Sequence, residues 1–219
     1  MRVRLALTAI AFCLVASAHV GAGSMAGIVR TLARAGAAPA TAIVYAEPID
    51  VVAPKVPGRF TLAQKNKTFL PRLLAVPVGS TVDFPNNDSI YHNVFSLSGP
   101  QPFDLGLYRA GESRPRTFTT PGIYRVFCNI HPQMTAIVVV APTGFTALAA
   151  SDGRFMLDLP PGRYRVTALS ERALPVSVEV TSTQGASIAP ELTLDESSWV
   201  SAQHKNKFGK DYPAAAYQP

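Results

Sequence analysis

Gly122-Ile123-Tyr124-Arg125-Val126-Phe127-Cys128-Asn129-Ile130-His131-Pro132-Gln133-Met134-Thr135-Ala136-Ile137-Val138-Val139-Val140 reads as a strand, a short loop and a second strand. The run Thr135 to Val140 is too short and too β-branched for anything but a buried strand. Gly122 to Cys128 is the strand before it, with Thr120-Pro121-Gly122 as its entry turn. Between the two strands lie a thiol, an imidazole and a thioether in the spacing Cys-x2-His-x2-Met, close enough along the chain to reach one ion. A second imidazole, His92 in Tyr91-His92-Asn93-Val94, comes from a different strand.

Two His and one Cys in a trigonal plane, with a weak axial Met, make the ligand set of a blue-copper centre. Cu(I) favours soft sulfur and low coordination, Cu(II) favours nitrogen and a tetragonal shape, and a fixed site of mixed softness lets the ion change charge with little movement. Structural zinc takes four Cys or His and calcium and magnesium take oxygen, so neither suits this set. Singly, a His on a strand is usually a core or surface residue and a Met near a strand start is usually packing. Jointly, with the single Cys of the exported chain among them, these four residues point to copper and to electron transfer.

Working outward, Arg59 to Gln64, Leu73 to Val76 and Thr81 to Phe84 are short strand candidates bounded by Pro, Gly or Asn, in the rhythm of an antiparallel sandwich. Phe84-Pro85-Asn86-Asn87-Asp88 opens a polar loop that delivers His92. From His92 to Leu97 the side chains alternate, with Val94 and Ser96 sharing the face of His92. Ser98 to Arg116, rich in Gly and Pro, is expected to be an irregular connection, and Thr117-Phe118-Thr119 a short strand.

The chain of 219 residues is 47% hydrophobic and 16% charged, which describes a globular protein of one large or two small domains. Nineteen Pro and fifteen Gly without a long amphipathic run argue against helices. The net charge of +6 suits a solvated surface or an acidic partner, and no basic-aromatic stripe of the nucleic-acid kind is present. Arg2 and Arg4, an apolar run from Leu5 to Ala16 and the small-x-small site Ala16-Ser17-Ala18 make residues 1–18 an expected secretory signal peptide, too short to span a bilayer. Its removal would take two Arg and no acid, leaving +4, and would take Cys13, leaving Cys128 unpaired. A lone thiol in an oxidising compartment needs protection, which a metal provides. The expected location is the periplasm.

Three stretches, Val78-Gly79-Ser80-Thr81-Val82-Asp83-Phe84-Pro85-Asn86, His92-Asn93-Val94 and Pro121 to Met134, resemble the plastocyanin and amicyanin group of cupredoxins. The short ligand loop is most similar to that of amicyanin. The resemblance covers residues 41–142 and implies a Greek-key β-sandwich with one type 1 copper near one end. It implies His92, Cys128 and His131 as equatorial ligands and Met134 as the axial one. It also implies that Asn93 ties the two ligand segments together by hydrogen bonds, that Pro132 stiffens the loop, and that the edge of His131 is the electron port. The chain departs from the family at Asn129-Ile130, where Thr-Pro is more usual.

Past Pro142 the strand pattern restarts. Phe145 to Ala149, Arg154 to Leu159, Arg163 to Leu169, Pro175 to Thr181 and Ser187 to Leu194 make five strand candidates separated by turns such as Ser151-Asp152-Gly153. Asp152-Gly153-Arg154-Phe155 with Leu159-Pro160-Pro161-Gly162-Arg163-Tyr164 resembles the carboxypeptidase regulatory-like, transthyretin-type module, which implies a spacer or interaction platform over residues 143–196. The tail, 197–219, is basic and aromatic; it is expected either to strap over the second domain or to dock an acidic partner. The whole arrangement resembles exported bacterial cupredoxins of the methylamine-utilisation type, which implies a redox partner. The expected fold class is thus all-β, two sandwiches in tandem. The functional expectation is a single-electron carrier serving a periplasmic dehydrogenase or cytochrome, with copper handling or a docking role as the alternative. A multicopper enzyme would need further His clusters, and only His19 and His204 are left over.

Overall fold

The computed structural model describes residues 23–53, 56–200 and 204–213. Among them every regular element is a β-strand, and no helix is long and apolar enough to cross a membrane. The expected signal peptide lies outside the described residues.

In chain order the first strands are β1 (Ser24–Leu32) and β2 (Ala42–Pro48), followed by β3 (Arg59–Thr61), β4 (Ala63–Lys65), β5 (Thr68–Leu70), β6 (Leu73–Pro77), β7 (Thr81–Pro85), β8 (His92–Ser96), β9 (Phe103–Tyr108), β10 (Ser113–Thr117), β11 (Gly122–Phe127) and β12 (Thr135–Ala141). Strands β3 to β12 build the first sandwich, from a five-stranded sheet in the order β6-β12-β11-β8-β9, a three-stranded sheet β10-β7-β3 and the hairpin β4-β5. Pairing is antiparallel except for β12 with β6 and β3 with β7. The inward side chains, Val82, Phe84, Val94, Phe118, Tyr124, Val126 and Val138 among them, form one apolar cluster that also contains Cys128 and Met134. The site therefore grows out of the core rather than sitting on the surface.

The second sandwich takes β13 (Thr146–Leu148), β14 (Arg154–Asp158), β15 (Gly162–Ser170), β16 (Val176–Ser182), β17 (Ala186–Ile188) and β18 (Leu192–Asp195), but it closes only with strands from the other end of the chain. Its sheets are β13-β2-β15-β16 and β14-β1-β17, with β18 also paired to β1. The expectation that the first domain begins at Thr41 is thus corrected: β2 lies between β13 and β15 in the other unit. Without β2, the nine-residue β15 would leave one side of its ladder unpaired, and buried backbone groups demand partners. Burial on both faces explains the apolar run of β2. Val44 and Ala46 enter the second core, while Ile43 joins Leu73, Ile137, Val139 and Leu169 in a separate cluster between the two units.

Two further expectations change. The stretch from Ser98 to Arg116 is not irregular: it carries β9 and most of β10, the former completing the sheet beside β8. Ser187 to Leu194 is two strands interrupted at Pro190, not one. In β8 all five residues are buried, because the face carrying Phe95 is also covered. That outer face has two covers. Over β6 and β12 it meets the second sandwich, and beside Phe127 it meets the C-terminal segment, where the His204 ring stacks at 4.0 Å between centroids. Of the two expectations for the tail, strapping over the second domain or docking an acidic partner, the first holds in part. Among the described residues, Ser197 stays there on Asp195 and Trp199 against Arg172, whereas His204, Lys207 and Tyr212 bond to the first sandwich.

Candidate metal centre

The loop that follows β11 is closed by its own backbone. The Cys128 N–H donates to the Met134 carbonyl at 3.2 Å, and the Met134 N–H donates to the His131 carbonyl at 3.0 Å. This double closure folds the seven residues from Cys128 to Met134 into a tight loop and turns the thiol and the His131 imidazole toward one point. Pro132 is buried in the middle of it, and its ring holds φ near the helical value without needing a hydrogen-bond partner for an N–H.

His92 reaches the same point from β8. Its Nδ1 lies 3.1 Å from His131 Nδ1, and the Cys128 sulfur lies 3.9 Å from the first and 3.8 Å from the second. A point equidistant from the three atoms lies about 2.1 Å from each, the length of a bond from a first-row metal ion to imidazole nitrogen or thiolate sulfur. His92, Cys128 and His131 thus form a group able to hold a copper ion, and the donor set of two borderline nitrogens and a soft sulfur suits that metal. Met134 is fully buried in the same apolar cluster as Cys128. His131 alone of the four is partly exposed.

The tautomer of His92 is set from behind. Its Nε2 sits 2.8 Å from Asp88 Oδ2, so the proton belongs on Nε2 and the Nδ1 lone pair faces the site. Asp88 is itself held at the tip of the β4-β5 hairpin, where Asn66 and Lys67 adopt positive φ, 53° and 52°, the backbone of a tight two-residue turn. Their N–H groups donate to its two oxygens at 2.6 and 2.9 Å. Burial by itself raises the pKa of Asp88, but the Lys67 amide, His92 and the Asn66 amide outweigh it and hold the carboxyl below its usual range. Asn86, fully buried, shapes the loop: its side chain donates to the Ile90 carbonyl and accepts from the Asp88 N–H. In the sequence Asp88 stands out only as part of a polar loop. No periodicity signals this pair, because the four-residue offset lies in irregular backbone.

Around the sulfur, burial pushes the Cys128 thiol up while the N–H groups of Asn93, Ile130 and His131 pull the other way by favouring a thiolate. His131 is pushed down, by burial first and then by His92 and Lys67, which keeps it a neutral donor of a lone pair. Asn93 departs from its expected role. Its side-chain amide donates to Asp104 on β9 at 2.7 Å, its Oδ1 is buried without a hydrogen-bond partner among the described residues, and only its backbone N–H turns to the sulfur. The link to the ligand loop runs instead from Asp104 to Lys207 Nζ at 2.7 Å, and from the Lys207 N–H to Asn129 Oδ1 at 3.0 Å.

No family model matches the chain. Plastocyanin of Ulva arasakii is 31% identical over 72 residues, which are 29% of this chain and 74% of the alga's protein. The chain belongs to the plastocyanin-like cupredoxins. Amicyanin-alpha of Methylorubrum extorquens is 29% identical to this cupredoxin over 104 residues, 46% of the chain and 87% of that protein. Among solved structures, a purple cupredoxin from Nitrosopumilus maritimus is 26% identical, covering 37% of this chain and 98% of its own with a TM-score of 0.34. A copper-containing nitrite reductase from Thermus scotoductus is 33% identical over 43% of this chain and 25% of its own, with a TM-score of 0.36. The match to amicyanin-alpha leaves more than half of this chain without a counterpart.

Proposed function

We propose that this cupredoxin is a periplasmic carrier of single electrons, and that His92, Cys128, His131 and Met134 are the residues that would hold one type 1 copper. The observation that carries the reading is the convergence of two Nδ1 atoms and one sulfur at 3.1, 3.8 and 3.9 Å. Copper, when bound, supplies a one-electron couple. The protein does the rest. Buried His92, Cys128 and Met134 exclude water, Asp88 orients one imidazole, and the three amides around the sulfur favour its anionic form. Rigid donors keep the geometry the same in both charge states, which is what fast transfer requires.

His131 is the nearest approach for a partner, since the other three ligands lie beneath the surface. Ile90, Tyr91 and Ile130, all exposed, belong to the two loops that carry the imidazoles and supply an apolar rim for transient docking. The partner is a periplasmic dehydrogenase or cytochrome acting as donor or acceptor. Burial of the site favours this reading over copper delivery, which calls for an open, exchangeable position. His204 is not placed as a ligand to a further metal: its ring nitrogens face the carbonyl oxygens of Lys205 and Pro132. That favours a carrier over a multicopper enzyme.

The test is the visible spectrum of the exported protein reconstituted with Cu(II), beside Cys128→Ala. An intense thiolate-to-metal band that bleaches reversibly on reduction and vanishes in the variant supports the carrier. A colourless protein, or copper binding indifferent to Cys128, overturns it.

A further inference from the structure

The residues from His204 to Tyr212 belong to neither sandwich, yet their polar groups converge on the ligand loop. The Tyr212 hydroxyl donates to the Cys128 carbonyl at 2.9 Å. The Lys207 N–H donates to Asn129 Oδ1 at 3.0 Å, and His204 Nε2 lies 2.8 Å from the Pro132 carbonyl, which it reaches as an N–H donor. Three successive stations of a seven-residue loop are thus held from outside. The rings complete the grip: His204 stacks on Phe127, the residue before the cysteine, and meets Tyr212 edge to face at 5.2 Å.

The same segment reaches the other ligand strand. Lys207 Nζ binds Asp104 Oδ2 at 2.7 Å, and Asp104 Oδ1 accepts from the side chain of Asn93, the residue after His92. The segment arrives already shaped, because Asn206 organises it as a turn: Gly209 N–H donates to the Asn206 carbonyl, and the N–H groups of Phe208 and Lys210 donate to its Oδ1. A preformed turn loses little further entropy when it docks. A tail serving only to cover apolar surface would need the rings over Phe127. It would not need three hydrogen bonds aimed at one loop.

We propose that His204 to Tyr212 is a working part of the metal centre: a clasp that ties the Cys128–Met134 loop to the His92 strand from outside the sandwich, with His204, Lys207 and Tyr212 as positioning residues. The proposal rests on the copper reading for its purpose, whereas its geometry is a set of contacts within the chain. Its action is to hold the Cys128 and Pro132 peptide planes still, so that the sulfur and the two nitrogens stay at bonding separation and release of the ion requires the clasp to open first.

The experiment compares the full chain with Tyr212→Phe, His204→Leu and the double variant, first without metal and then as the Cu(I) form. Removing one hydrogen bond to a buried carbonyl shifts an opening equilibrium by roughly fivefold to tenfold. Amide hydrogen exchange at Cys128 and Met134 in the metal-free protein is therefore expected to quicken by about that factor in each single variant and by roughly 30-fold or more in the double, with Val166 in the second sandwich unchanged. Transfer of Cu(I) to an excess of a strong chelator is expected to quicken in the same order. Wild-type exchange at both loop amides, or wild-type release from the double variant, overturns the clasp. If Val166 quickens as well, Lys207→Met, which removes only a part-exposed ammonium, carries the test on the same criteria. A wild-type protein without the thiolate-to-metal band defeats the copper reading alone, because exchange in the metal-free chain still decides whether the clasp holds the loop.

Discussion

Replacing Asp88 by Asn should weaken the metal centre more than its distance from the ion suggests. The carboxylate makes three contacts: His92 Nε2 at 2.8 Å, the Asn66 amide at 2.6 Å and the Lys67 amide at 2.9 Å. All three partners are donors, and Asn offers one acceptor oxygen, so its NH2 must face either a backbone N–H or the imidazole N–H. A hydrogen bond to a charged group contributes about 1.5–3 kcal/mol against about 0.5–1.5 for a neutral one. Losing the charge and one acceptor should therefore lower the stability of the metal-free protein by about 2 kcal/mol. In a chain of this length that is a fall in Tm of roughly 4–8 °C. Freeing the imidazole should also lower metal affinity by about 10- to 100-fold, the usual effect of removing the group that orients a ligating histidine. The assay is chelator competition at pH 7 beside thermal unfolding of the metal-free form. The sign of the pH dependence is fixed by the lowered carboxyl of Asp88. Its contribution is fully present above the unfolded value near pH 4 and lost as pH falls through the lower folded value, so the wild-type advantage should be constant from pH 5 to 8 and shrink below about 4. Unchanged affinity in Asp88→Asn, with unfolding like wild type, would refute the chain of reasoning from hairpin tip to carboxylate to imidazole.

At the joint between the units, Ile43→Ala should reduce stability by about 2–5 kcal/mol in denaturant titration, since Ile43 is fully buried there; the charge-transfer band should keep its position. Asp104→Asn should loosen Lys207 and make docking of the tail insensitive to acid, because Asp104, though raised by burial, is held low on balance by Lys207 and Asn93. In the wild type, fluorescence of tail-docked Tyr212 should change as pH falls below about 4, and an identical titration in the variant would count against this. Gly153→Val is expected to lower Tm sharply: the residue has φ +83°, and an added Cβ would run into the Val29 carbonyl on β1. Arg59→Ala serves as the contrast. Its bidentate pair with Asp83 is largely solvent-exposed on the arginine side and should change stability by less than about 1 kcal/mol.

Legibility followed sequence distance. Cys128 and His131 sit three residues apart on one short loop, and that covalent spacing by itself brings their sulfur and nitrogen close together; Met134 shares the loop. His92 was readable by residue type and by the strand that follows it. Asp88 was not, since its backbone partners come from a hairpin tip 22 and 21 residues away whose turn, Asn66-Lys67, lacks the Asn-Gly signature. Strand β9 was hidden by the Gly and Pro residues around it, though its pairing with β8 overrides their local preference.

By itself the sequence determined the all-β class, the alternation of the strands and the ligand loop, because each depends on neighbours within a few residues. Tertiary structure decided the rest: that β1 and β2 complete the second sandwich, that Asp88 orients His92, and that His204, Lys207 and Tyr212 return to grip the loop. Those choices rest on which distant backbone groups and carbonyls are left without partners once the local elements form, and burial in a packed interior leaves few ways to satisfy them.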